Sequence, residues 1–222
     1  MDMRDVIKSS GVRNFAKLLS ANVVAQVIGL IVYPILTRVY APEDFGLLNL
    51  FLSISGVLLI LSTAELHYAI VLPKEETEGK ALVHLSALIL LVIVAITAFS
   101  TLFSTQIASL FNAPALAHYY WLMPLLVFAQ GAWNILNYWY IRHNEYNPVS
   151  RYQVSQNMLS AGGKLGMGWG GMLQGGMIYS VVIAPLISLA LSWISARKTL
   201  LPALDRISWR GICEQAKVYR NF

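Results

Sequence analysis

The chain has 222 residues, of which 57% are hydrophobic and only 12% charged, about half the charge of an ordinary soluble domain. That balance excludes a disordered chain, a coiled coil and an ordinary cytosolic enzyme. One Cys excludes a disulfide framework or a Cys-based zinc site, and four His without HExxH-like spacing give no metal motif. The class that remains is all-α: a polytopic membrane protein with no cofactor.

A spanning helix needs ~20 mostly apolar residues, because the hydrocarbon core is ~30 Å thick. Six blocks meet that length: 15–37, 46–66, 81–103, 119–141, 153–173 and 177–196. Ahead of them, residues 1–14 mix charge with apolar pairs such as Val6-Ile7, as a short cytoplasmic interfacial helix would. The breaks carry turn-forming residues: Ala41-Pro42-Glu43-Asp44, Pro73-Lys74-Glu75-Glu76, Asn112-Ala113-Pro114 and Asn144 to Pro148. Blocks five and six are parted only by Gln174-Gly175-Gly176, a tight hairpin. Residues 197–222 form a basic tail, in which Cys213 is a thiol without a role.

Charge position gives the orientation. With six crossings, 14 of the 16 basic residues fall on one side, leaving Arg38 on the other and Lys164 inside a helix. The positive-inside rule then makes both termini cytoplasmic. The pI of 9.4 follows from this topology without any nucleic-acid partner. Tyr119-Tyr120-Trp121 and Tyr138-Trp139-Tyr140 bracket the fourth block like two interfacial belts. Pro34, Pro124 and Pro185 lie inside blocks and predict kinks.

Polar residues in the blocks fall into stripes. Asn22, Gln26, Gly29, Tyr33 and Thr37 share one face of the first block; Gln130, Asn134 and Asn137 do so in the fourth. In the fifth, Asn157, Ser160, Lys164, Gly168 and Gly171 lie opposite the lipid-suited Met158, Leu165, Trp169 and Met172. Uncharged polar stripes are commonly helix-packing glue, and Gly162, Gly166 and Gly170 form small-xxx-small repeats suited to close contact. Lys164 stands apart. The block bounds put it about eleven residues from either end, ~16 Å from each interface, too deep to snorkel out. No Asp or Glu occupies a block centre, so a hydrated cavity or an anionic ligand accounts for the cation better than a pair with Glu65. Glu65 and His67, at the end of the second block, read as a solvated interfacial pair. Arg38 reads as an interfacial anchor or a partner for Glu43 or Asp44.

Three segments resemble a known family. They are Leu18 to Asn22 continuing through Tyr33-Pro34-Ile35-Leu36-Thr37-Arg38-Val39-Tyr40-Ala41-Pro42-Glu43-Asp44-Phe45-Gly46, then Ala69 to Glu76, then Asn137 to Arg142. Together they are similar to the polysaccharide biosynthesis, or O-antigen (Wzx-type), flippases of the multidrug/oligosaccharidyl-lipid/polysaccharide superfamily, over about residues 15–200. The resemblance implies a fold of roughly twelve to fourteen helices in two lobes, with a central cavity worked by alternating access. This chain then corresponds to the N-terminal lobe: a six-transmembrane-helix bundle over 15–196, from a truncated or split gene, completed by a second lobe or a homodimer.

The implied activity is flipping a polyprenyl-diphosphate-linked oligosaccharide across the bacterial inner membrane for surface polysaccharide or O-antigen assembly, without covalent chemistry. The ligand is an anionic lipid head, so Lys164 and Arg38 would attract its diphosphate. Asn22, Gln26, Asn134 and Asn157 would line the same cavity. Alternatives are a non-transporting remnant or scaffold of the glycan-assembly complex, and a cation-coupled multidrug exporter. The exporter needs a deep acidic residue that the block centres lack. A membrane-embedded enzyme needs a long loop with paired carboxylates, and the loops are short. The segment Glu65-Leu66-His67 departs from the Arg-aromatic-Glu trio common in the family.

Overall fold

The computed structural model describes residues 10–203, together with Ala216 and Val218. The helices are α1 (Ser10–Val39), α2 (Pro42–Ser62), α3 (Glu76–Ser100), α4 (Ser104–Leu110), α5 (Leu116–Tyr119), α6 (Met123–Arg142), α7 (Tyr146–Trp169) and α8 (Gly176–Ala203). Short 3-10 turns occupy Leu66–Val71, Thr101–Phe103 and Tyr120–Leu122. Six of these helices answer to the six apolar blocks, and no strand occurs among the described residues.

Each helix starts or stops for a local reason. At the head of α2, Pro42 needs no amide partner, Glu43 and Asp44 favour the positive end of the helix dipole, and the Asp44 carboxylate accepts the Ala41 amide at 3.1 Å. Ala64 (φ 45°) and Glu65 (φ 57°) end α2 by turning left-handed in succession, a costly conformation for two residues with side chains. Asn112 and Asn144 make the same turn more cheaply. Pro124 sits in the first turn of α6, where no intrahelical donor is lost, so it starts that helix instead of kinking it. Pro34 does lie within α1. The first helix also begins at Ser10, so residues 10–14 belong to it rather than to a separate interfacial segment. The expectation for residues 1–9 lies outside the described residues.

The chain alternates direction, so the connections gather at two ends. One end has the α2–α3 and α6–α7 links, with Lys74, Lys80, Arg142 and Arg151. The other has Val39 to Pro42, the stretch from Ser100 to Tyr120, and Gly170 to Gly176. There Tyr119 packs edge-on against Tyr179 (5.9 Å), and the Ser100 and Tyr120 hydroxyls lie 3.2 Å apart. Two buried clusters match these ends. Ile70, Leu82, Trp133, Trp139, Tyr140 and Tyr152 pack toward the first, while Leu36, Tyr40, Phe51, Leu116, Met123 and Ile178 pack toward the second.

Trp139 and Tyr140 are therefore core residues, because α3, α6 and the 66–71 turn close over them. The expected belt at that end does not form from them. At the opposite end Trp121 is exposed, whereas Tyr120 is buried.

Large apolar side chains stand out on the surface. Leu30, Leu102, Leu110, Trp169 and Ile194 are each more than 70% exposed. A water-soluble monomer does not carry so much uncovered apolar surface. By length and composition, three helical stretches are long and apolar enough to cross a membrane: Pro42–Ser62, Glu76–Leu110 and Gly176–Ile194. The remaining long helices are more polar or only partly apolar, with Gln26–Val39 a shorter apolar stretch of α1.

Candidate functional site

The polar stripes of α1 and α7 face one another. A pocket of about 160 Å³ opens between them, lined on α1 by Gly29, Tyr33 and Leu36 and on α7 by Asn157, Ser160 and Lys164. Gly29 leaves open space where a side chain would intrude. Asn157, Ser160 and Lys164 lie on one face of α7, three and four residues apart. No carboxylate lines the pocket. Among the described residues Lys164 forms no ion pair. The carbonyl of Lys164 is taken up, accepting the Tyr40 hydroxyl at 2.6 Å.

The depth of Lys164 differs from the expectation. α7 spans Tyr146–Trp169, which puts Lys164 five residues from its C-terminal end, ~7 Å along the axis rather than ~16 Å. Pro148 falls in the first turn, where it is tolerated, so the helix begins well before the apolar block. Gly170 caps it and Gly171 (φ 82°) follows in a conformation that favours glycine, so the helix ends early; Gly175 (φ 77°) makes the same turn just before α8.

The glycine contacts are also displaced. Gly162 and Gly166 meet no neighbour within 4 Å, and Gly170 faces only the carbonyls of its own helix. The close approaches are made by Gly163 and Gly168. A Cβ on Gly163 would lie 3.0 Å from Ser180 Oγ on α8. One on Gly168 would lie 2.5 Å from Val39 Cγ1 and 3.0 Å from Tyr40 Cε2. The α1–α7 seam is thus tight at Gly168 and open at Lys164. On the outer face of α7, Met158, Trp169 and Met172 are exposed as expected, while Leu165 packs into the second cluster.

The other sequence candidates are spread out. Gln26 is exposed on α1, about one turn before Gly29. The side chain of Asn22 lies outside the described residues. Arg38 is exposed at the far end of α1. It forms no ion pair with Glu43 or Asp44 among the described residues. Asn134 is half-buried on α6 and does not line the pocket.

Sequence reasoning missed the role of Arg142. Its Nη1 donates to the carbonyls of Ile70 (2.8 Å) and Pro73 (2.7 Å), and its Nη2 to that of Glu75 (2.8 Å). Gly79 makes room, since a Cβ there would stand 2.8 Å from Arg142 Cζ. The guanidinium therefore joins the segment Ala69 to Glu76 to the segment Asn137 to Arg142, two of the stretches singled out in the sequence. Next to this clamp, His67 is buried rather than solvated, while Glu65 is exposed. The His67 ring lies 4.2 Å from that of Tyr68 and 5.3 Å from that of Tyr138, and its Nδ1 pairs with Thr63 Oγ1 at 2.6 Å. Burial pushes the imidazole down to about 4. Glu65 and His67 are thus not an interfacial pair.

An uncovered apolar surface, spanning helices and a polar seam with one idle cation define an all-α membrane protein. The chain belongs to the polysaccharide biosynthesis protein family, whose model matches residues 12–215. Its general role therefore lies in the synthesis or transport of polysaccharide. No curated protein and no solved structure matches the chain.

Proposed function

We propose that this chain translocates a polyprenyl-diphosphate-linked oligosaccharide across the bacterial inner membrane for surface polysaccharide or O-antigen assembly, as the N-terminal lobe of a flippase. The observation that carries the reading is the α1–α7 pocket, which holds a cation and no anion. A lysine held between two helices without an anion beside it among the described residues carries an uncompensated desolvation cost. A multiply charged diphosphate entering the pocket offsets that cost, and Coulomb attraction is strong where water is scarce. Asn157, Ser160 and Tyr33 supply neutral hydrogen-bonding groups beside the ammonium. Gln26 extends the polar path along α1, with Asn22 one turn earlier in the sequence stripe, and Arg38 places a second cation on the end of the bundle nearer Lys164. Asn134 belongs to the α6 stripe and would face the lipid-linked sugar only in another conformation. The chain binds and moves its ligand and does no covalent chemistry.

The test is a flipping assay in proteoliposomes loaded with a fluorescent lipid-linked oligosaccharide. Lys164→Ala should slow translocation at least about tenfold, roughly the loss of one close charge contact. Its melting temperature should not change, and Lys164→Arg should retain most of the rate. Unimpaired flipping by Lys164→Ala would remove the pocket from the mechanism.

A further inference from the structure

A second, larger trough lies on another face of α7. Its volume is about 550 Å³, between Pro148, Arg151, Val154 and Met158 on α7 and Leu191 and Ser192 on α8. Its wall is almost wholly apolar except at one end. There Arg151 is exposed, and Ser150 adds a hydroxyl. Ser150 Oγ itself is buried, which leaves the Arg151 guanidinium as the donor at this end within reach of a ligand. Midway, Ser155 Oγ donates to Ser188 Oγ at 3.0 Å, which satisfies the polar atoms between the helices and leaves the trough apolar.

The dimensions fit within one leaflet. Arg151 to Met158 is seven residues of helix, a rise of about 10 Å, inside the ~15 Å of half a hydrocarbon core. Arg151 lies at the bundle end that also carries Lys74, Lys80 and Arg142. A cation at headgroup level with an apolar trough beneath it is complementary to an anionic amphiphile. No carboxylate lines the trough to oppose one.

We propose that this trough is a binding site for an anionic membrane phospholipid, one acyl chain lying between α7 and α8 and the phosphate held by the Arg151 guanidinium. The guanidinium donates in a planar fork that suits phosphate oxygens. The site is separate from the Lys164 pocket, because Asn157, Ser160 and Lys164 project from a different face of α7.

The full chain, purified in neutral detergent, is exchanged into equal amounts of phosphatidylglycerol and phosphatidylcholine with matched acyl chains. Retained lipid is counted by native mass spectrometry. The wild type should keep the anionic lipid about fivefold over the zwitterionic one, the worth of one cation at a membrane surface. Arg151→Gln should bring the ratio close to one, and Lys74→Gln should leave it unchanged. Val154→Trp, which fills the trough without touching a charge, should reduce retention of both lipids. Equal retention of the two lipids by the wild type, a preserved ratio in Arg151→Gln, or unaltered retention in Val154→Trp would each overturn the site. Flipping activity does not enter this readout, so its outcome is independent of the transport reading.

Discussion

Arg142 and Lys164 are both cations on long helices, and the structure treats them in opposite ways. Arg142 has three of its five N–H donors engaged by the backbone. Three backbone carbonyls accept from it, and Gly79 is shaped to its guanidinium. Lys164 lines an open pocket with no anion beside it, and only its carbonyl is engaged. A cation bound to the backbone fixes architecture, and one with no anion beside it in a polar seam invites a ligand. The two roles separate by hydrogen-bond partners rather than by depth or residue type.

The contrast predicts that the two sites fail differently. Arg142→Ala removes three hydrogen bonds and strands the carbonyl of the buried Ile70, while that of Glu75 keeps the Gly79 amide; it should lower stability by about 3 kcal/mol. Arg142→Lys should recover less than half of this, because a point charge cannot reach acceptors spread over a fork. Denaturation in detergent, followed by tryptophan fluorescence, reads both; a melting point unmoved by Arg142→Ala would abolish the contrast.

His67 sharpens the same end. Burial holds its folded pKa near 4, below the ~6.5 of an unfolded chain. The unfolded state therefore takes up the proton first. The stabilisation is fully present above pH 6.5 and is lost as pH falls toward 4. The loss should reach about 3 kcal/mol. In His67→Gln the pH dependence over that window should flatten, as melting curves at several pH values would reveal.

At the other end the effects are smaller. Gly168→Ala drives a methyl against Val39 and Tyr40 and should cost about 2 kcal/mol through overpacking. Tyr40→Phe removes one hydroxyl donor to the Lys164 carbonyl and should cost about 1 kcal/mol. If Gly162→Ala proved as damaging as Gly168→Ala, the register of the α1–α7 seam would be wrong.

Much of this was legible beforehand. Spanning helices announce themselves, because the bilayer demands about 20 apolar residues in a row. The 3.6-residue period brought Gly29 and Tyr33 onto the same pocket as Asn157, Ser160 and Lys164, as their stripes implied. Other features were out of reach for physical reasons. A glycine-rich helix offers several overlapping small-residue repeats, and only the partner helix selects Gly163 and Gly168 over Gly162 and Gly166. The acceptors of Arg142 lie far back in the chain, and they form a site only when α6 docks beside the 66–71 turn. The depth of Lys164 depended on a helix end set at Gly171, whose left-handed geometry composition does not display. His67 looked solvated because it lies at the end of the second block near Glu65, yet consecutive left-handed residues turn it inward.

The most direct test is to titrate the wild type and Lys164→Gln with a short-chain polyprenyl diphosphate at low ionic strength, alongside a neutral prenol of equal length. The account predicts that the diphosphate binds the wild type about tenfold more tightly than it binds the variant, with the prenol indifferent to the change. Equal diphosphate affinities for the two proteins would contradict it.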